Sequence, residues 1–514
     1  MRRLEHRLML RRCLLLLVAT PLLVACDKAS QSEQANYSAT TQSVYEYLGV
    51  PFAEPPVGKL RWEAPQALPD GSAKATGHFQ PGCAQTDYMV TWYHDVVTDF
   101  GGDAATFPVP EFSEDCLYLN IWTPDNKPTA NLPVMVWIHG GGLRGGWAYE
   151  PNYVGDKLAK QGVVIVSIAY RLDIFGFISH PKLNIANFGL LDQIAALEWI
   201  QQNIRNYGGN PDAVTVFGES AGGASIGYLL DMEAAKGLFH RAIIQSAGYH
   251  LPTEDLRADY LDQWQQTEVP ALANGTLQEM RNLEPDLVLA AAAKAYPEYR
   301  PDVVVDGQSV LRLPGAALQD KTTAAVDLMI GTNADEWLMY LPESTSDENV
   351  LGWITDQAPN SAEKIQSELA DDPLRNLDRL TTAANFVCPS LQMATYTEGA
   401  GGKAYVYYFD RVRDSERARA LGAYHGAEIP YVFDKHDDWL PTDAADRDLT
   451  QTMQQYWVNF ARTGNPNRTG LPEWRPYSAS DSNTLRLGDE LGMNPHVERN
   501  LCDYLSQSGA SQLQ

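Results

Sequence analysis

The sequence predicts an α/β fold: a large, mostly parallel central sheet with helices on both faces and helical insertions. Three observations carry this expectation. Short β-branched and aromatic runs recur along the chain and alternate with stretches of helical periodicity, which is the pattern of strand–helix–strand units. One run, Val214-Thr215-Val216-Phe217, leads through Gly218-Glu219-Ser220-Ala221-Gly222-Gly223 into an apolar stretch from Ala224 to Leu230, so a strand turns sharply into a helix. Another, Val134-Met135-Val136-Trp137-Ile138, ends in His139-Gly140-Gly141-Gly142, a glycine loop directly after a strand.

Taken in order, the chain opens with Arg2, Arg3, Arg7, Arg11 and Arg12, followed by an apolar stretch from Cys13 to Ala25 that is short for a membrane span. This is the composition of an export signal. Its end, Leu23-Val24-Ala25-Cys26, resembles a bacterial lipobox, which predicts a diacylglyceryl group on Cys26. Residues 1–25 are therefore read as a lipoprotein-type signal peptide and 26–41 as a flexible polar tether. Residues 42–505 are read as the folded domain and 506–514 as a tail. The protein is expected to be exported and held in the periplasm or cell envelope by a lipid on Cys26.

Ordered structure is expected to begin with a strand over Val44–Phe52. Further strands are expected at Tyr118–Trp122, Val134–Ile138, Val163–Ile168, Ala242–Ser246, Leu328–Gly331 and Tyr405–Phe409. Leu190 to Ile204 repeats apolar residues at helical spacing and stops before Tyr207-Gly208-Gly209-Asn210-Pro211, a strong breaker cluster. Residues from about 250 to 325 read as a helix-rich insertion. The 514 residues carry a net charge of -26, which excludes nucleic acid as a partner because phosphate binding needs an excess of Lys and Arg. Of six cysteines, Cys13 leaves with the signal and Cys26 takes the lipid. Cys83, Cys116, Cys388 and Cys502 remain for an oxidising compartment. Four cysteines permit three pairings; pairing nearest neighbours would join Cys83 to Cys116 and Cys388 to Cys502.

The Gly-x-Ser-x-Gly turn predicts chemistry as well as fold. A serine on a tight strand-to-helix turn projects from the top of a sheet at a helix N-terminus, the nucleophile elbow of α/β-hydrolases. Ser220 is the candidate nucleophile. The glycine loop and the residue after the serine predict an oxyanion hole built from the N–H groups of Gly141, Gly142 and Ala221. Among ten histidines, His425 is the candidate base. It follows the serine and an acid in chain order, and lies in the glycine-rich stretch Gly422-Ala423-Tyr424-His425-Gly426 after a strand. The acid is Asp335 or Glu336, after the strand ending at Gly331; spacing does not choose between them.

The chain resembles the type-B carboxylesterase/cholinesterase family over most of residues 44–505. The resemblance rests on Glu114-Asp115-Cys116-Leu117-Tyr118-Leu119-Asn120, Asn187-Phe188-Gly189-Leu190-Leu191-Asp192-Gln193, Phe217 to Gly223 and Trp457-Val458-Asn459-Phe460-Ala461-Arg462-Thr463-Gly464-Asn465-Pro466. It implies that the acid is Glu336, in Gly331-Thr332-Asn333-Ala334-Asp335-Glu336, and that the base is His425, with Glu428 completing a Gly-x-x-His-x-x-Glu pattern. It also implies the pairings Cys83–Cys116 and Cys388–Cys502. The implied activity is hydrolysis of small carboxylic esters through an acyl-enzyme, with no metal and no organic cofactor. The alternatives are a lipase acting on long-chain acylglycerols and a catalytically silent binding protein. Trp337 replaces the family's glycine after the acid, and Asp173 replaces the glycine after Arg171-Leu172. Asp173 is expected to alter packing only. Trp92 does not sit where cholinesterases place their choline-binding tryptophan, which argues against a choline-ester specialist. Glu219, beside the nucleophile, is expected to tune the site or to pack.

Overall fold

The computed structural model describes residues 43–69, 71–247, 267–295, 302–322, 326–494 and 497–507. The signal peptide, Cys26, the tether, much of the 250–325 segment and the tail beyond Gln507 lie outside the described residues.

Within them a ten-stranded sheet forms the centre. Its strands are β1 (Tyr45–Pro51), β4 (Tyr118–Thr123), β5 (Leu132–Ile138), β6 (Val164–Ile168), β7 (Gly209–Glu219), β8 (Arg241–Gln245), β9 (Asp327–Asn333), β10 (Ala404–Phe409), β11 (Thr484–Leu487) and β12 (Gly492–Met493). β2 (Gly82–Cys83) and β3 (Phe112–Ser113) pair separately. The spatial order is β1-β4-β6-β5-β7-β8-β9-β10-β11-β12. Pairing is parallel from β6 through β5 to β11 and antiparallel at β1/β4, β4/β6 and β11/β12. A mostly parallel sheet is what the alternating strands and helices predict, and the antiparallel pairs sit toward its two ends.

The residues of β5 and β7 show why the sheet is covered on both faces. Val134, Val136, Ile138, Val214 and Val216 point into one apolar cluster, with Leu190, Leu197 and Ile200 of the helix Phe188–Asn203 and Ile226 of the helix Ala221–Asp231. Met135, Trp137 and Phe217 point the other way, against Met453, Trp457 and Phe460 of the helix Ala444–Thr463. Successive side chains of a strand face opposite sides, so a strand apolar at every position needs a packed layer on each. Trp137, Phe217 and Phe433 meet with ring centroids 4.9 Å and 5.0 Å from Trp137.

Cys83 bonds to Cys116 and Cys388 to Cys502. The first bridge closes a loop that carries the helix Tyr88–Asp99, and the second ties the helix Cys388–Gly399 to the helix Arg499–Gln507. The sequence reading assigns nothing between Tyr340 and Cys388. There the chain forms the helices Asp347–Gln357 and Pro373–Thr382 and a π-helical turn at Ala383–Val387.

Candidate active site

Ser220 lies between the end of β7 and the helix Ala221–Asp231, with φ 54° and ψ -124°. A positive φ at a non-glycine residue is strained and persists only where the surroundings enforce it. The enforcement is steric: a Cβ on Gly222 would lie 2.0 Å from the Ile138 carbonyl oxygen. Only glycine lets the helix start that close to β5. The Ser220 N–H donates to the Gln245 carbonyl at 2.9 Å, which holds the elbow to β8.

His425 brings its Nε2 to 2.8 Å from Ser220 Oγ and its Nδ1 to 2.6 Å from Glu336 Oε2. Glu336 is fully buried and accepts the Asn333 N–H through its other oxygen at 2.7 Å. Asp335, the other candidate acid, points away. It accepts the Ala423 N–H at 2.8 Å and pairs with Arg375 at 2.7 Å, so it fastens the loop that carries His425. Trp337 leaves this arrangement intact; its N–H donates to Asp378 and its ring packs against Tyr340 and Phe386, with centroids 5.3 Å and 6.0 Å away.

Behind the site, Glu428 accepts from Gln245 at 3.0 Å and from Asn333 at 2.7 Å, and Trp457 donates to Gln245 at 2.9 Å. This network clamps β8, β9 and the helix Ala444–Thr463 around the loop bearing His425. Glu219 places Oε1 3.3 Å from His425 Nε2. Burial pushes Glu219 up to about 8. Burial alone would push His425 down, but the carboxylates of Glu219, Glu336 and Glu428 outweigh it and hold the imidazole up at about 9. Of the electrostatic and packing roles considered for Glu219, this contact supplies the electrostatic one.

Gly141 (φ 99°), Gly142 and Ala221 line the same cavity as Ser220 and His425. Among the described residues, none of these three N–H groups donates to a protein acceptor. They are free to receive an oxyanion. His139, in the same loop, is buried and held down at about 4 by that burial; its Nδ1 lies 2.9 Å from the Gly140 carbonyl and its ring stacks on Tyr170. Asp173 takes the left-handed backbone that suits glycine, φ 49°, and its backbone N–H, which a glycine would supply equally, donates to the Leu143 carbonyl at 2.7 Å and braces the glycine loop.

The cavity has a volume of about 380 Å³. Tyr88, Trp92 and Tyr93 from the loop closed by Cys83–Cys116 form one wall, and Trp337, Tyr340 and Phe386 form another. Phe386 sits 5.5 Å and Tyr340 6.5 Å from the His425 ring. Sequence reasoning missed this aromatic lining, because its members come from separate segments and no motif joins them. Glu150, also in the wall, accepts the Tyr93 hydroxyl and is pushed up to about 7 by burial.

The sequence profile of the carboxylesterase family matches residues 33–505. Liver carboxylesterase of Sus scrofa is 36% identical over 507 residues, covering 90% of this chain and 87% of that protein. Para-nitrobenzyl esterase of Bacillus subtilis (strain 168) is 33% identical over 474 residues, covering 88% and 93%. A solved structure of a PNB esterase superposes with a TM-score of 0.79 at 30% identity, covering 91% of this chain and 96% of that one. A carboxylesterase structure from Geobacillus stearothermophilus superposes with a TM-score of 0.78 at 28% identity. A serine elbow, a buried acid–histidine pair and a glycine loop stand on this sheet, and the family profile and these relatives match the chain along most of its length: the chain belongs to the carboxylesterase family and is a carboxylic ester hydrolase.

Proposed function

We propose that the chain hydrolyses small carboxylic esters through an acyl-enzyme, with Ser220 as nucleophile, His425 as base and Glu336 as acid. The observation that carries this reading is the unbroken relay Ser220–His425–Glu336, with contacts of 2.8 Å and 2.6 Å. Ser220 Oγ attacks the ester carbonyl carbon while His425 Nε2 takes its proton, and buried Glu336 stabilises the imidazolium. The carbonyl oxygen becomes an oxyanion received by the N–H groups of Gly141, Gly142 and Ala221. Collapse breaks the bond to the alcohol oxygen, which leaves with the proton from His425. Water then attacks the acyl carbon, losing its proton to His425, and the acid departs as Ser220 is restored.

A cavity of about 380 Å³ suits small and medium esters better than long-chain acylglycerols. Hydrolysis of p-nitrophenyl esters tests both points. Ser220→Ala is expected to lower kcat by about four to six orders of magnitude. The chain-length optimum is expected at short acyl groups; an optimum at long acyl chains in emulsion would favour the lipase reading instead.

The same proposal places the protein outside the cytoplasm, anchored by lipid on Cys26. The basic and apolar run before Leu23-Val24-Ala25-Cys26 supports this, as do two disulfides, which persist in oxidising compartments.

A further inference from the structure

Arg144 follows the glycine loop by two residues and is the only Lys or Arg among the described residues lining the catalytic cavity. Its guanidinium lies over the Tyr88 ring, 5.1 Å from the centroid. Among the described residues its buried Nε has no hydrogen-bond partner and no carboxylate forms an ion pair with it. Asp173 is near enough to feel its charge, yet its Oδ1 is taken by the Ile174 N–H at 2.6 Å. The other carboxyl groups of the cavity are also engaged. Glu150 accepts from Tyr93 and Trp147, Asp302 accepts from Val303 at 2.7 Å, and Glu219 faces His425. Burial holds Glu150 and Glu219 up at about 7 and about 8, so neither is a full counter-charge near neutrality.

A desolvated guanidinium N–H without an acceptor is costly. Arg171 and Arg411 lie against carboxylates, Asp192 and Asp446, and so keep a counter-charge even where one nitrogen, such as Arg171 Nη1, stays without an acceptor. Among the described residues Arg144 has no such partner, and its guanidinium carbon lies over the Tyr88 ring. Its terminal Nη1 and Nη2, unlike Nε, are not fully buried, and among the described residues neither donates to an acceptor; that end of the plane is a fork whose geometry matches a carboxylate.

We propose that Arg144 is a specificity-determining residue that receives a second, free carboxylate on the substrate, so that the preferred esters are anionic: half-esters of dicarboxylic acids or acyl esters of hydroxy acids. The inference rests on the ester-hydrolase reading of the same site. The net charge of -26 slows the approach of an anion at long range, but inside the cleft the nearest cation dominates, and screening there is weak.

The test compares kcat/KM by pH-stat titration on two pairs of esters: monoethyl glutarate against diethyl glutarate, and acetoxyacetate against its ethyl ester. The ratio of anionic to neutral substrate is expected to fall about tenfold or more in Arg144→Gln in at least one pair. Arg144→Lys, which keeps the charge and loses the fork, is expected to give an intermediate ratio. Ratios within twofold of wild type in both pairs, with both kinds of ester turned over, would overturn the role of Arg144 and leave the triad mechanism standing. Absence of turnover on all four esters by folded wild type would overturn both.

Discussion

Glu219 and His425 share a contact of 3.3 Å, and its chemistry has a sign. A carboxylate at Glu219 stabilises the imidazolium, the form of His425 that cannot take the proton of Ser220. Activity is therefore expected to rise with pH as His425 loses its proton. Glu219→Gln removes one of the charges that hold His425 up, so the acid limb of the kcat/KM profile is expected to move down by about one pH unit. A limb that stays in place or moves up would deny Glu219 this role. At this scale the site was largely legible in the sequence, because a nucleophile elbow, an oxyanion loop and a histidine loop each need glycines at set positions. The choice between Asp335 and Glu336 was not legible from spacing. It depends on which side chain turns toward Ala423 and which toward His425, and only the resemblance pointed to Glu336. Arg144 and the aromatic walls were silent for a different reason: a lining residue needs no particular neighbour in sequence.

Elements hold the site through their ends. The loop closed by Cys83–Cys116 spans 33 residues and carries Tyr88, Trp92 and Tyr93 to the cavity; the bridge Cys388–Cys502 spans 114 and fastens the chain next to Phe386. Cross-links of this kind restrict the unfolded chain, so replacing either pair by serine is expected to cost about 2–4 kcal/mol in denaturant or thermal unfolding. Loss of Cys83–Cys116 is expected also to raise KM, since it frees a wall of the cavity. Unchanged stability without the bridges would refute the first expectation, and an unchanged KM the second. The strands β4 to β10 could be read from their apolar runs, since a strand covered on both faces is apolar at nearly every position. The short strands β11 and β12 and the helices from Asp347 to Gly399 could not. The two strands are only four and two residues long, and partners distant in sequence, such as Cys502 for the helix that begins at Cys388, decide where these elements lie.

The molecule as a whole holds several groups above their ordinary protonation range. Burial raises Glu219 to about 8, and Glu150 and Asp378 to about 7; neighbouring carboxylates raise His425 to about 9 against its own burial. Between about pH 6.5 and 9 the folded chain thus binds protons that the unfolded chain has released, and stability falls as pH rises through that window. His139, held down at about 4, acts in the opposite sense only at lower pH. The midpoint of thermal unfolding is expected to drop from pH 6.5 to 9 while activity climbs; a midpoint that rises would contradict the assignment of these protons. The most direct test of the central claim is covalent. Incubation with a fluorophosphonate ester, followed by intact-mass and peptide analysis, is expected to give one adduct per chain on Ser220, absent in Ser220→Ala, with loss of activity in proportion to labelling. An adduct on another residue, or full activity in a fully labelled protein, would contradict the mechanism.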